Sequence, residues 1–165
     1  MDSLYNWIVF LHVAGAFTFV LAHGASAGVA LKLREERDVP RVQALLELSN
    51  VATQGTYVGL VILLIGGITA AFMAGLWGRG WIWTALALLV VMIAFMFARA
   101  SRYYGEVRRA AGLGYYIPGK GGGGPSAPNS AELARLLGSS RAMELGVVGA
   151  IGLLAIIWLM VMKPF

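Results

Sequence analysis

Four long stretches of the chain contain no Asp, Glu, Lys or Arg. They are Ser3 to Leu31, Leu48 to Gly78, Gly80 to Ala98 and Leu145 to Met162. A helix needs about 20 mostly apolar residues to cross a lipid bilayer, and about 17 is the lower limit, so each stretch is long enough. Transmembrane β-strands are about 10 residues long and alternate in polarity, which these stretches do not. The pattern therefore predicts an all-α, four-transmembrane-helix bundle, with helices at approximately 4–31, 42–76, 80–104 and 142–162.

The basic residues are divided unequally between the two ends of these predicted helices. Segments 32–47 and 99–141 carry eleven Lys and Arg residues, whereas the opposite side carries only Arg79 and Lys163. Because basic loops stay in the cytoplasm, we expect both of these segments there and both termini outside. All five tryptophans lie at the predicted outer helix ends, where their rings favour the membrane interface. We expect a multi-pass membrane protein.

Composition narrows the possible chemistry. The chain is 59% apolar, with a mean hydropathy of +0.75 and a net charge of +5. Its basic residues lie between apolar runs, so we expect anionic lipid as their partner and no nucleic acid. There is no cysteine, which excludes disulfides, iron–sulfur clusters and thiolate metal sites. No Ser-His-Asp set and no Glu-x-x-His pattern is present, so no catalytic residue is predicted.

The segment between the third and fourth spans is rich in glycine. Gly114 to Lys120 matches the G-x-x-x-x-G-K part of a phosphate-binding loop, but glycines follow the lysine where Ser or Thr is needed. We therefore predict no nucleotide binding, and a flexible Gly-rich cytoplasmic loop over 112–130.

Two short polar motifs predict helix starts. Asp38 with Pro40 indicates the start of the second helix, and Asn129 with Glu132 fits a capping box. The capping box predicts a short interfacial helix whose leucines face the membrane surface. These leucines are Leu133, Leu136 and Leu137.

Small residues recur at helical spacing. Gly24 and Gly28 form one G-x-x-x-G pair on the first helix, and Gly55 and Gly59 form another on the second. The last helix has a similar face with Ala142, Gly146, Gly149 and Gly152. Such faces allow close helix approach, either inside one bundle or between subunits, and both interpretations stay open.

His12 and His23 are the only histidines, and both fall within the first apolar span. An ionisable side chain inside a span is a functional candidate. The eleven intervening steps place the two on one face, about 16 Å apart, so they cannot ligate the same iron. Each would need another ligand: by depth, Met73 for His12, Met92 or Met96 for His23, or a histidine from a second subunit.

Two cofactors suit these donors, namely b-type haem and Cu(I). His12 and His23 are the candidate metal ligands, and the three methionines are candidate cofactor-binding residues. The alternative is that each neutral imidazole hydrogen-bonds a neighbouring helix, with Ser26 or a backbone carbonyl as its partner.

Three segments carry a resemblance to a known family. Trp7 to Ala16, Lys32 to Asp38 and Trp77 to Trp81 together resemble a bacterial family of predicted four-helix integral membrane proteins, a domain of unknown function. The resemblance implies that the membrane is a bacterial cytoplasmic (inner) membrane. More loosely, the pair Leu11 and His12 early in the first span resembles a feature of the copper-resistance D type of membrane protein and its haem-handling relatives.

The histidines and the glycine faces lead to two expected functions. One is redox or metal handling through the histidines, and the other is a non-catalytic accessory subunit or helical interaction module, in a homo-oligomer or a larger membrane complex.

Overall fold

The protein is almost entirely helical. A computed structural model describes residues 2–165. Its helices are α1 (Asp2–Glu35), α2 (Val39–Met73), α3 (Gly80–Ala110), α4 (Ser130–Leu137) and α5 (Arg141–Met162), with a 3-10 turn at Leu76–Gly78 and two strands, β1 (Tyr115–Ile117) and β2 (Gly121–Gly123). Four helical segments are long and apolar enough to cross a membrane, namely Ser3–Glu35, Val39–Met73, Gly80–Ala110 and Ser130–Met162. The all-α class and the four apolar helices predicted from the sequence are confirmed.

Several helices run further than the apolar stretches alone predict. The first continues to Glu35 and the third to Ala110, and the second begins at Val39. The start of α2 follows from its cap, because the Asp38 carboxylate accepts a hydrogen bond from the Arg41 backbone N–H at 3.2 Å. The extended parts carry residues such as Leu33, Val42 and Val107, which pack together in one hydrophobic core and so stabilise the helix ends.

The helices pack chiefly as two antiparallel pairs, α1 with α2 and α3 with α5, and a thinner contact joins α1 to α5. Between α1 and α2 the backbones touch. A Cβ on Gly15 would lie 2.5 Å from the Leu63 nitrogen, and a Cβ on Gly59 would lie 2.5 Å from the Phe19 nitrogen. Only glycine permits such an approach, so these two positions set the distance between the helices.

The two predicted G-x-x-x-G pairs have different outcomes. Gly55 and Gly59 on α2 face α1, where Ala22 and Phe19 are their nearest neighbours. Around Gly24 and Gly28, by contrast, no neighbouring residue of the described chain comes within 4 Å of an added Cβ. The α1 pair therefore contributes nothing to packing inside this chain.

A conventional hydrophobic core lies at the basic end of the molecule, and we call it the cap. It combines the end of α1, the start of α2, the end of α3, all of α4 and the start of α5. Its buried members are Val29, Leu33, Val42, Leu46, Tyr103, Val107, Ala110, Ala111, Leu133, Leu136, Leu137 and Ala142. The predicted short helix is present, with the Asn129 side chain accepting from the Glu132 N–H. The prediction that its three leucines face the membrane surface is wrong, because they are 2–4% exposed and pack inside the cap.

Polar contacts fasten the cap at its edges. Arg108 pairs with Glu47 of α2 at 2.8 Å, and Arg109 pairs with Glu132 of α4 at the same distance. The Tyr103 hydroxyl, in the buried core, donates to the Leu136 carbonyl at 3.2 Å. The cap thus connects the two helix pairs at one end.

A β-hairpin occupies part of the segment predicted as a flexible loop over 112–130. Tyr115 pairs with Gly123, and Ile117 with Gly121, in an antiparallel register. The hairpin rests on α3 at Gly105, where a Cβ would lie 2.5 Å from the Tyr116 carbonyl oxygen. Backbone pairing and this close approach define the segment, although its glycine content alone predicts no regular structure.

Candidate functional sites

His12 lies where α1 crosses two adjacent glycines of α2. Its Nδ1 is 2.8 Å from the Leu63 carbonyl oxygen, which can only accept, so Nδ1 is the donor. Its ring fills the space beside Gly67, since a Cβ there would lie 2.8 Å from both Cε1 and Nδ1. At Gly66 an added Cβ would lie 2.9 Å from the His12 backbone nitrogen. The site is a fitted contact between helices.

This geometry fixes the chemistry of the His12 ring. With Nδ1 protonated, a neutral imidazole keeps its lone pair on Nε2. A carbonyl that orients a histidine in this way is also the usual outer partner of a metal-binding imidazole. The contact matches the hydrogen bond to a neighbouring helix that the sequence left open, and it leaves Nε2 as the one nitrogen able to ligate.

The structure does not bring Met73 to His12. The histidine faces Gly66 and Gly67, and Met73 follows six residues later, about 9 Å further along α2 at ~1.5 Å per residue. Met73 is the last residue of α2 and is 41% exposed. Ser26, the other suggested partner of a histidine, pairs instead with Ser49, with 2.9 Å between the hydroxyl oxygens.

His23 and Met96 do come together, at Gly149 of α5. The His23 Nε2 lies 3.5 Å, and the Met96 Cε 2.7 Å, from the position that a Cβ on Gly149 would take. The imidazole stacks on Phe19, one turn earlier in α1, with ring centroids 5.7 Å apart and planes 3° from parallel. Helices α1, α3 and α5 therefore meet around one glycine, with a ring nitrogen and a thioether side chain against it.

Met92 occupies the neighbouring position on α3. Its Sδ lies 2.6 Å from the position of a Cβ on Gly152, one turn along α5 from Gly149. The two methionines fill the two glycine notches of α5 side by side. This packing arrangement places two thioether side chains along α5, and Met96 is the one that shares Gly149 with His23.

These donors suit a single soft ion better than a macrocycle. Imidazole nitrogen and thioether sulfur are ligands that Cu(I) accepts. A haem between His23 and Met96 would have to displace the direct contact of Met96 with Gly149. Within residues 2–165, no group of three or more His, Asp or Glu side chains is arranged to hold a metal ion. Any ion here would therefore depend on methionine, a carbonyl or a second chain for further ligands.

An open glycine face marks the opposite side of α1. Phe17, Leu21, Gly24 and Gly28 share a stripe at helical spacing. Phe17 and Leu21 are 67% and 70% exposed, and the glycines leave a notch beside them. The stripe has the form of a helix-docking surface without a helix of this chain on it.

Electrostatics outside the apolar helices are simple at the α1–α2 connection. The backbone N–H groups of Asp38 and Arg37 donate to the Glu36 carboxylate, at 3.0 Å and 2.9 Å. These two hydrogen bonds, with nearby Arg41 and Lys32, lower the pKa of Glu36 below its usual value. The ionised carboxylate thus holds the turn between the two helices.

The sequence alone did not identify the residues of α2 that His12 contacts. The adjacent glycines Gly66 and Gly67 in the second apolar stretch are its signal, but their spacing is not a recognised packing motif. The role of Phe19 as the stacking partner of His23 was also missed, although the four-residue spacing on one helix could have indicated it.

Comparison with known proteins identifies no relative. No family model, no curated protein and no solved structure matches the chain. A functional proposal therefore rests on the chain's own residues.

Proposed function

We propose that the chain is a multi-pass protein of a bacterial cytoplasmic membrane, with the cap in the cytoplasm and both termini outside. Four sufficiently apolar helices support this placement, and at most 17% of each most apolar window is buried within the chain. The basic residues cluster at the cap end, as the positive-inside rule predicts for a cytoplasmic side, and the tryptophans lie at the opposite helix ends, at the depth of a membrane interface. The bacterial part of this placement comes only from the sequence resemblance of Trp7 to Ala16, Lys32 to Asp38 and Trp77 to Trp81.

A labelling experiment tests the orientation. Single cysteines are introduced at Gly124, an exposed position just after the hairpin where an added Cβ meets no atom within 4 Å, and at Arg79. The chain's lack of native cysteine makes each the only thiol. In intact cells, an impermeant thiol reagent should label the cysteine at 79 and spare the one at 124. Preferential labelling at 124 would reverse the orientation.

Within this placement, we infer that the protein is a non-catalytic helical interaction module that docks a helix of a partner subunit, or of a second copy, on the open face of α1. The observation that carries this proposal is the difference between the glycines. A Cβ added at Gly15 or Gly59 would meet the backbone of the neighbouring helix, whereas a Cβ added at Gly24 or Gly28 would meet no neighbouring residue of the described chain within 4 Å. Glycine in a helix costs about 1 kcal/mol relative to alanine, so an open pair favours a use outside the chain.

The test compares the open glycine pair of α1 with a single open glycine on another helix. Gly28→Leu should leave the melting temperature of the isolated chain unchanged, since no atom within 4 Å opposes it in residues 2–165. It should however reduce the mass of the complex recovered from native membranes. Gly146→Leu, at an open glycine on α5, is the matched control and should leave the complex intact. A complex unaffected by both Gly24→Leu and Gly28→Leu would reject the docking face.

A redox or metal-handling role is the second candidate, favoured by the convergence of His23 and Met96 on Gly149. It predicts copper by elemental analysis, or a Soret band if the ligand is haem. His23→Ala and Met96→Leu should each reduce the bound metal or absorbance, and Met73→Leu, on an exposed side chain, is the control. Loss in both His12→Ala and His23→Ala would indicate two sites, because about 16 Å separates them along α1. A colourless, copper-free preparation expressed with ample haem would reject this candidate.

A further inference from the structure

The surface next to the cap carries a cluster of cations that the protein itself does not neutralise. It consists of Arg99 and Arg102 on α3, Lys120 in the hairpin turn and Arg141 at the start of α5, and all four are exposed. Arg99 and Arg102 share one face of α3 with Glu106, at positions i, i+3 and i+7. We call these four residues the cationic cluster.

Its members converge from three elements of the fold. Lys120 Nζ is 3.5 Å, and Arg141 Nη1 is 3.7 Å, from the two carboxylate oxygens of Glu106. The Arg102 Nη2 lies 3.7 Å from the position of a Cβ on Gly119, at the turn of the hairpin. The hairpin thus brings Lys120 alongside the arginines of α3.

The charges in the cluster do not balance. Glu106 is the one carboxylate shared between two of the cations, and neither Arg99 nor Arg102 has an ion pair within 4 Å among residues 2–165. The nearby Glu144 accepts a hydrogen bond from Ser140. With Glu144 lying three residues after Arg141, the four cations face two carboxylates, so two positive charges are left over at one place on the surface.

The position of this excess matters as much as its size. Arg99 is the first charged residue after the apolar stretch Gly80–Ala98, and Arg141 precedes the stretch that begins at Leu145. The two arginines thus lie where adjacent helices α3 and α5 leave their apolar segments. In a bilayer this is the depth of the lipid headgroups, where anionic phospholipids attract Lys and Arg.

We propose that the cationic cluster is a binding site for the phosphate headgroup of an anionic phospholipid in the cytoplasmic leaflet. The proposal rests on the membrane placement given above. The lipid phosphate sits between Arg99 and Arg102, which have the open donor capacity, while Lys120 and Arg141 supply further positive charge from the hairpin and α5. Arginine guanidinium groups suit this role because they can donate two hydrogen bonds to one phosphate.

The test measures lipid retention by the purified full-length chain in neutral detergent, using native mass spectrometry. Phosphatidylglycerol should be retained in preference to phosphatidylcholine. The double substitution Arg99→Gln with Arg102→Gln should weaken phosphatidylglycerol binding by roughly tenfold to thirtyfold. The matched control, Lys32→Gln with Arg135→Gln, removes the same charge from two exposed residues outside the cluster and should bind as the unmodified protein does.

Three outcomes would overturn the proposal. Equal retention of the two lipids would remove the headgroup preference, and an equal loss in the control variant would reduce it to net charge. Competition by soluble glycerol phosphate at the same concentration as the lipid would identify a soluble ligand instead. Should the double variant fail to fold, Lys120→Gln and Arg99→Gln carry the test singly. Because the measurement is made in detergent, its failure is separate from a failure of the labelling experiment on orientation.

Discussion

Substitution of Gly59 by alanine tests the closest contact in the molecule. The added methyl would lie 2.5 Å from the Phe19 nitrogen and 2.8 Å from its Cα, whereas ordinary van der Waals contact begins at 3.4 Å. Both opposing atoms are backbone, so no side-chain rotation relieves the clash. The helices α1 and α2 must separate locally by about 1 Å, which weakens dispersion contacts along the interface.

The expected magnitude follows from two opposing effects. Overpacking costs about 1–3 kcal/mol, and a clash with backbone alone places Gly59→Ala in the upper part of that range, at about 2–3 kcal/mol. The exchange of glycine for alanine in a helix returns about 1 kcal/mol. A net loss of about 1–2 kcal/mol remains, which for a chain of this size lowers the melting temperature by roughly 2–8 °C.

Thermal unfolding in mild detergent, followed by circular dichroism, measures the effect. Gly28→Ala is the matched control, since it adds the same methyl where no neighbouring atom of the described chain lies within 4 Å. Its melting temperature should be unchanged or slightly raised by the helix propensity of alanine. A Gly59→Ala protein that melts at or above the unmodified protein would refute the contact between α1 and α2.

Three further predictions concern individual side chains. His12→Ala removes the hydrogen bond to the Leu63 carbonyl, and it should destabilise the protein by about 0.6–1.7 kcal/mol in thermal unfolding; no change would mean that the contact does not form in detergent. Asn129→Ala removes the N-cap side chain at the start of α4 and should cost about 1 kcal/mol of stability, whereas Asn129→Asp, which keeps an acceptor for the Glu132 N–H, should not. Glu36→Gln should lower the melting temperature at neutral pH. Because folding lowers the pKa of Glu36, the ionised carboxylate stabilises the folded protein at pH values above the usual carboxyl pKa. This stabilisation is lost as the pH falls through the lowered pKa of the folded protein. The difference in melting temperature between Glu36→Gln and the unmodified protein should therefore vanish in acid. A difference that persists in acid would exclude the ionised carboxylate as the cause.

Helix identity was readable from the sequence, but helix extent was not. An apolar run predicts the part of a helix that lipid would surround, as in Gly80–Ala98. The continuation of α3 to Ala110 depends on Tyr103 and Val107 burying against α4, a contact between segments far apart in the chain. Such a contact has no local signature.

The hairpin and the leucines of α4 were mispredicted for the same physical reason. A glycine-rich segment carries few side chains that could reveal a strand, so its pairing and its fit against Gly105 depend on tertiary structure. The leucines of α4 show an apolar face in either setting. Only the nearby ends of α1, α2 and α3 determine that this face packs against protein.

The candidate sites show which part of a motif the sequence contains. The same G-x-x-x-G spacing occurs on α1 and α2. Gly59 of the α2 pair touches the backbone of the neighbouring helix, whereas Gly28 of the α1 pair does not. His12 was placed by depth opposite Met73, but the register of the helix pair sets it against Gly67. The spacing of residues along one helix is readable, whereas the relative rotation and sliding of two helices is not.

The composition of the cap has a consequence for biosynthesis. Leu33 and Val42, at the two sides of the first helical connection, are among its most buried residues, but α4 and Ala142, which complete the same core, are synthesised much later. Until the ribosome has passed α4, the ends of α1 and α2 present apolar surface to the cytosol in the proposed orientation. Nascent chains arrested before Ser130 should therefore be substrates for chaperones and proteases at this end, even after their first two helices have entered the membrane.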